Sequence, residues 1–253
     1  MVKEKQIIDF LSQIGKLLLQ HGAETELVET SIKKAAAKLA YNDIEILILP
    51  NVILLSLPSE EKVYNVKLQR AERQDVNFSA LDKVETMIED MNATSDILQL
   101  TAQLKDENNF SFIYPYYQRN IMAGIGCASF SLLFGGDIYI FITTFIASYI
   151  GFYLNGFMLK RYFNPFIVIM LVAFTTTMIS GLLNLHNDTA HIAISSSILF
   201  LVPSVAFINS VNDLTKRHYT TGLIRGVRGV IISFAIAIGI TLALNILGVE
   251  NFL

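Results

Sequence analysis

The sequence has few of the residues that mark redox, metal or nucleotide chemistry. Its 253 residues include one cysteine, Cys127, which lies in an apolar run, so neither an intrachain disulfide nor a thiolate zinc cluster is possible. No histidine pair has the spacing of a zinc hydrolase, and no glycine-rich phosphate-binding loop occurs. These absences predict a protein with no cofactor, no metal and no catalytic residue, and one that does not itself hydrolyse ATP.

Charged residues are also scarce, and they are unevenly divided. Residues 1–118 contain 12 Lys and Arg against 18 Asp and Glu, whereas residues 119–253 contain 7 against 4. No basic stripe is present, which argues against a nucleic-acid partner. The first half therefore has the composition of a soluble acidic domain, and the second that of a membrane domain. The amphipathic, charged beginning of the chain does not resemble a cleavable signal peptide, so we expect residues 1–118 to be cytoplasmic.

Residues 1–118 have the periodicities of an α+β domain. Apolar residues recur at helical spacing, then alternate as in strands, then return to helical spacing. Thr25 is a suitable cap for the second helix. The expected elements, in order, are helices at 4–20 and 25–39, strands at 44–48, 52–57 and 63–68 with a turn at 58–61, and helices from Ser79 and from Thr94 or Ser95.

Residues 119–253 have the long apolar runs of an all-α polytopic membrane domain in a lipid bilayer. Gly135, Gly136 and Asp137 form a short turn between the first two spans, and Ala235, Gly239 and Ala243 form a packing stripe in the last one. Five transmembrane helices are expected, at about 120–135, 138–157, 164–184, 190–212 and 227–247.

The loop charges predict how these spans are oriented. Lys and Arg lie before the first span and in alternate connections after it, while the other connections and the final six residues have none. By the positive-inside rule, the N-terminus is cytoplasmic and the C-terminus is outside, in a multi-pass protein of the cell inner membrane. Many transporters need two related halves, so five spans favour an incomplete transporter that requires a partner.

The stretch from Ala193 to Arg217 carries the strongest candidates for a functional site. Pro203 should break or kink its helix, and Asn209 and Asp213 share one helical face. This pattern fits a substrate or ion site at a broken helix, or a kinked packing helix with its polar end among cytosolic headgroups. Asp213 could be proton-linked, or it could pair statically with Lys216, Arg217 or Arg225. Thr176 and Ser180 could line a polar path, although such hydroxyls often bond to their own helix.

Four motifs occur in order along nearly the whole chain: HGAETELVE at 21–29, LPNVILLS at 49–56, FGGD at 134–137 and LVPSVAFINSVND at 201–213. Together they resemble the threonine/serine exporter family, in the split form that carries only the N-terminal half. By this resemblance the first motif supplies His21, Gly22, Glu24, Thr25 and Glu29, and the last supplies Pro203, Asn209 and Asp213.

The resemblance implies a subunit of an exporter of small carboxylate-bearing metabolites, threonine and serine or a dicarboxylate such as succinate, driven by the proton gradient. It also implies a second small polytopic membrane protein that supplies the other half, in an oligomeric assembly. Two alternatives remain open. The chain could be a membrane-anchored sensor whose soluble domain binds a metabolite, or a membrane-bound hydrolase that would depend on His21.

Overall fold

The computed structural model describes residues 2–58, 64–71, 76–92, 94–110, 114–161, 163–185 and 187–248. The chain forms two compact units. Unit 1 consists of Met1–Ile113 and Val205–Val227, and unit 2 consists of Tyr114–Ser204 and Arg228–Leu253. Residues 205–227, which sequence patterns group with the membrane domain, thus pack within the same unit as the N-terminal segment.

The N-terminal part of unit 1 has the predicted order of two helices, a small sheet and two helices. Of the turn predicted at 58–61, Pro58 is the last residue of β2 and residues 59–61 lie outside the described residues, as does Val63, the first residue of the third predicted strand. The elements are α1 (Val2–Gln20), α2 (Thr25–Lys38), β1 (Glu45–Leu49), β2 (Val52–Pro58), β3 (Tyr64–Arg70), α3 (Phe78–Asp90), α4 (Ile97–Lys105) and a 3-10 turn (Glu107–Phe110).

Helix α1 forms the centre of the hydrophobic core of unit 1. Its apolar stripe is fully buried at Phe10, Leu11, Ile14 and Leu18. Burying one such side chain contributes about 1.5–3 kcal/mol relative to leaving it in water. Gly15 lies against Ile32 of α2 and Ile53 of β2, where a Cβ atom would overlap both side chains. The helical spacing read from the sequence therefore identifies the buried face of this helix.

The starts of three helices differ from the predicted ones. Helix α2 has Glu24 at its N-cap position, with Thr25 as its first helical residue, and neither side chain caps it. Helix α3 is capped by Asn77 rather than by Ser79, and α4 by Asp96 rather than by Thr94 or Ser95. Any of these polar residues can accept a bond from a free helix amide, so composition alone does not select among them.

The sheet is a three-stranded antiparallel meander in which β2 is central. Strand β3 has an unusual alternation. Its apolar residues Tyr64, Val66 and Leu68 are exposed, whereas Asn65 and Lys67 on the opposite face are half-buried. The polar face of β3 is therefore the one that packs inside unit 1, and it packs against α1.

Unit 1 also contains part of a helical hairpin from the second half of the chain: nearly all of its first helix, the turn, and the start of its second helix. Helix α9 (Ser204–Thr215) ends in a turn where Arg217 adopts a positive φ of 68°, and α10 (Tyr219–Leu247) begins two residues later. The two helices pack closely because Gly222 of α10 lies against Ser210 and Leu214 of α9.

Unit 2 is helical. It contains α5 (Tyr116–Leu133), α6 (Ile138–Lys160), α7 (Pro165–Leu183), α8 (Ala190–Ser197), a 3-10 turn (Leu199–Leu201) and the remainder of α10. Helices α6, α7 and α10 are long and apolar enough to cross a membrane. The helices on either side of Val202 and Pro203 are bent by 59° relative to each other. If they form one broken span, the described residues contain four candidate spans. Helix α5 is not among these candidate spans.

Small residues let the helices of unit 2 approach closely. A Cβ atom at Gly239 of α10 would overlap the Met170 carbonyl oxygen of α7, and Ala235 and Ala243 are fully buried on the same side. This confirms the predicted packing stripe. The predicted turn at 135–137 is also present: Gly135 has a φ of 90°, and Asp137 caps α6 by accepting a 2.8 Å bond from the Ile140 amide.

Candidate functional site

A buried ion pair lies in the α9–α10 hairpin of unit 1. The Asp213 side chain, on α9, is fully buried, and its Oδ2 lies 3.1 Å from Nη1 of Arg225 on α10. An isolated carboxylate would be costly at such a position, so the neighbouring guanidinium is what allows the burial. The sequence suggested Lys216, Arg217 or Arg225 as the partner of Asp213, and in the structure the partner is Arg225.

The second oxygen of Asp213 caps a helix far away in sequence. Its Oδ1 accepts a 3.0 Å hydrogen bond from the backbone amide of Thr25, the first residue of α2. The amides at a helix N-terminus have no partner within the helix and carry partial positive charge, so a carboxylate is favourable there. Asp213 therefore replaces the cap expected from Thr25 and connects segments 188 residues apart.

The same hairpin holds the loop that precedes α2. Arg225 Nη2 donates to the Ala23 carbonyl at 2.9 Å, and Asn209 Nδ2 donates to the Gly22 carbonyl at 2.9 Å. Gly22 has a φ of +89°, a conformation that side chains other than glycine adopt only with strain. Asn209 and Asp213 share a face of α9, as predicted, and that face contacts the first sequence motif.

A second, more exposed group of polar contacts also joins α9 to α2. Lys216 Nζ lies 2.8 Å from Glu24 Oε1 and also contacts Glu26, and Asn212 Nδ2 donates to Glu24 Oε2 at 2.9 Å. The hydrogen bonds to Glu24 and Glu26 raise the pKa of Lys216 above its usual value. Because Lys216 is exposed, this group of contacts is screened by solvent and contributes less than the buried pair.

Two further contacts fix the hairpin. Thr221 Oγ1 of α10 donates to the Ile48 carbonyl of β1 at 3.1 Å, and Ser210 Oγ of α9 donates to the Gly222 carbonyl at 2.7 Å. We name the set of Gly22, Ala23, Glu24, Thr25, Asn209, Asn212, Asp213, Lys216 and Arg225 the hairpin network. Its contacts range from buried at Asp213 to exposed at Lys216, and together they attach residues 205–227 to the rest of unit 1.

The other members of the first motif lie next to this network. The His21 carbonyl accepts a 3.2 Å bond from the Asn77 amide, which attaches the start of the loop to the beginning of α3. Glu29, on α2, accepts a 2.5 Å hydrogen bond from Lys33 and lies 3.9 Å from Nε2 of His218. The structure therefore brings the first and last sequence motifs together. Among the described residues it contains no cluster of His, Cys, Asp or Glu able to hold a metal ion.

A second set of candidates lies inside unit 2. The hydroxyls of Thr176, Thr177 and Ser180 on α7 are fully buried and make no hydrogen bond within the described part of the chain. Thr175, on the partly exposed side of the same helix, instead donates to the Leu171 carbonyl at 2.7 Å. The expectation that a threonine hydroxyl bonds to a carbonyl of its own helix therefore holds for Thr175, and not for the buried hydroxyls.

The buried hydroxyls face neighbouring helices. A Cβ atom at Gly151 of α6 would overlap the Thr176 hydroxyl, so the two helices touch there through a glycine. Toward the start of α6 and the end of α7, Thr143 and Asn184 are hydrogen-bonded at 3.1 Å. Ser148 of α6 donates to the Ser197 carbonyl at the end of α8. The interior of unit 2 thus combines apolar helices with polar atoms that could bind water or a polar solute.

Comparison with known proteins decides the family. The chain matches, over residues 9–247, the family described as "ThrE: Putative threonine/serine exporter". The chain belongs to this family. This places it among multi-pass membrane transport proteins rather than enzymes.

Two curated proteins resemble the chain over nearly its full length. Both are named "Probable succinate transporter subunit YjjP". The one from Escherichia coli (strain K12) is 30% identical over 257 residues, covering 99% of this chain and 98% of the relative. The one from Klebsiella aerogenes is 30% identical over 258 residues, covering 99% and 97%. No solved structure matches the chain.

Proposed function

We propose that the chain is one subunit of an inner-membrane exporter of small carboxylate-bearing metabolites, either threonine and serine or a dicarboxylate such as succinate. The observation that carries the proposal is the near full-length match to an exporter family, in a chain whose apolar helices bury unpaired hydroxyls. The names of the two relatives add succinate as a candidate substrate and describe a subunit rather than a complete transporter.

In this proposal the chain crosses the membrane five times, by α5, α6, α7, the broken pair at 202–203 and α10. The N-terminus is cytoplasmic and the C-terminus is outside. The basic residues Lys160, Arg161 and Lys216 then lie in cytoplasmic connections, which is the arrangement that the positive-inside rule favours. A second small polytopic membrane protein supplies the other half of an oligomeric transporter.

Two groups of residues carry the proposed transport role. Thr176 and Ser180 line the path, because buried hydroxyls that have no partner among the described residues can exchange hydrogen bonds with a passing solute. Asn209 and Asp213 act at the cytoplasmic mouth, where the Asp213–Arg225 pair responds to the proton gradient that drives export. The break at Pro203 frees backbone groups that a substrate carboxylate could use.

Efflux from vesicles that contain the chain and its partner tests this function. Loaded threonine, serine and succinate should be compared with glucose, an uncharged control, before and after an ionophore collapses the proton gradient. We expect at least one of the carboxylate-bearing solutes to leave faster than glucose, and only while the gradient persists. Equal rates for all four solutes would contradict the proposal.

A further inference from the structure

A groove in unit 1, away from the hairpin network, has the features of a small-anion site. It lies between α1, β3 and α4 and has a volume of about 900 Å³. Its polar lining comes from residues on all three elements: Lys5, Gln6, Asp9, Asn65, Lys67, Thr101 and Lys105. The groove also accounts for the alternation of β3, because the inward-facing polar residues Asn65 and Lys67 form part of its wall.

The charges in the groove are not balanced. Asp9 is the one carboxylate among the described lining residues, and its two oxygens are divided between two ammonium groups: Oδ1 lies 3.0 Å from Lys67 and Oδ2 lies 2.9 Å from Lys105. Burial would raise the pKa of Asp9, but the bonds to Lys105 and Lys67 outweigh it and lower the pKa. Lys5 adds a third ammonium group, so the lining has an excess of two positive charges.

We propose that this groove binds a small organic dianion, such as a short dicarboxylate, with Lys67 and Lys105 as its main ligands. Each lysine ammonium has three N–H donors, so bonding to Asp9 leaves further donors for a ligand. Ile8, Leu98 and Ala102 supply an apolar wall beside these charges, which suits a carbon chain between two anionic groups. A phosphate group would satisfy the same charges without using that wall.

The site is separate from the residues proposed to carry transport, so its occupancy can be measured without measuring flux. Calorimetric titration of the full chain in lipid nanodiscs should use succinate, inorganic phosphate and acetate as probes. We expect saturable binding of one succinate per chain, with acetate weaker by about fivefold or more because it carries one charge less.

Matched variants locate the binding. Lys67→Gln and Lys105→Gln should each lower the affinity for succinate by about fivefold or more, since each removes one positive charge in contact with the ligand. Lys33→Gln is the control, because Lys33 pairs with Glu29 on α2, outside the groove. Asp9→Asn should strengthen binding, because it removes the carboxylate that competes for both lysines. Circular dichroism of each variant verifies that it is folded.

The outcomes separate this proposal from the transport proposal. Succinate binding that is unchanged in both Lys67→Gln and Lys105→Gln, or the absence of saturable binding, would overturn the groove site. Phosphate binding as tightly as succinate would overturn its preference for an organic dianion. If the unsubstituted chain binds succinate but shows no export with its partner, the proposed function alone is wrong. If it exports with its partner but shows no saturable binding, this site alone is wrong.

Discussion

Asp213 makes the most deeply buried contacts of the hairpin network. One oxygen pairs with Arg225, and the other caps α2 through the Thr25 amide. Loss of its charge would leave Arg225 buried beside a neutral group, and removing one member of a buried pair costs about 3–5 kcal/mol. Replacing both members costs less, because no uncompensated charge remains.

We therefore predict that Asp213→Asn lowers the thermal unfolding temperature of the detergent-solubilised chain by several degrees. The double variant Asp213→Asn with Arg225→Gln should recover part of this loss. Asn212→Ala is the matched control, because it removes one half-buried bond to Glu24 and leaves the buried pair in place. If the single and double variants unfold at the wild-type temperature, the buried pair is not important for stability.

Gly22 is a residue whose identity follows from its backbone conformation. Its φ of +89° and the bond from Asn209 to its carbonyl place it where a side chain is strained. Gly22→Ala should destabilise unit 1 by about 1 kcal/mol or more, as measured by thermal unfolding. Gly126→Ala is the control, because Gly126 lies within α5 and has no atom within 4 Å of an added Cβ. A Gly22→Ala protein as stable as the Gly126→Ala protein would contradict this interpretation.

At the scale of elements, sequence periodicity predicted most helices and strands. It did not predict helix caps or buried faces that depend on side chains from other elements. The stripe of α1 and the small residues of α10 determine their own burial, so both were predicted. The cap of α2 could not be predicted, because the group that satisfies its first amide is on α9. The polar inner face of β3 was missed for a similar reason: Lys67 is paired there by Asp9 of α1.

The number of spans depends on helix α5 and on the broken pair at 202–203. Helix α5 forms where a span was predicted, but it has 18 residues, begins Tyr-Tyr-Gln-Arg-Asn and is not counted with the long apolar helices. If α5 and the broken pair at 202–203 both cross, the chain has five spans and its ends lie on opposite sides. If only one of the two crosses, four spans place both ends on one side. Fusions of a fluorescent protein to the N-terminus and alkaline phosphatase to the C-terminus should both be active. An inactive phosphatase would contradict the five-span arrangement.

At the scale of the whole molecule, the main surprise is that residues 205–227 belong to unit 1. The sequence indicated that Asn209 and Asp213 share a helical face and that Arg225 was one possible partner. It could not show that this face contacts Gly22 and Thr25, because contacts between segments nearly 190 residues apart leave no periodic signal in a single sequence. The first and last of the four motifs that carried the family resemblance thus meet in one network of polar contacts.

The central claim is that this chain is one half of an exporter, and reconstituted efflux tests it most directly. Proteoliposomes containing the chain alone, the partner alone, or both should be loaded with succinate and threonine, and a proton gradient should be imposed. We predict that efflux of at least one of these solutes requires both proteins, with each protein alone at the level of empty liposomes. Full efflux from the chain alone, or no efflux from the pair, would contradict the account.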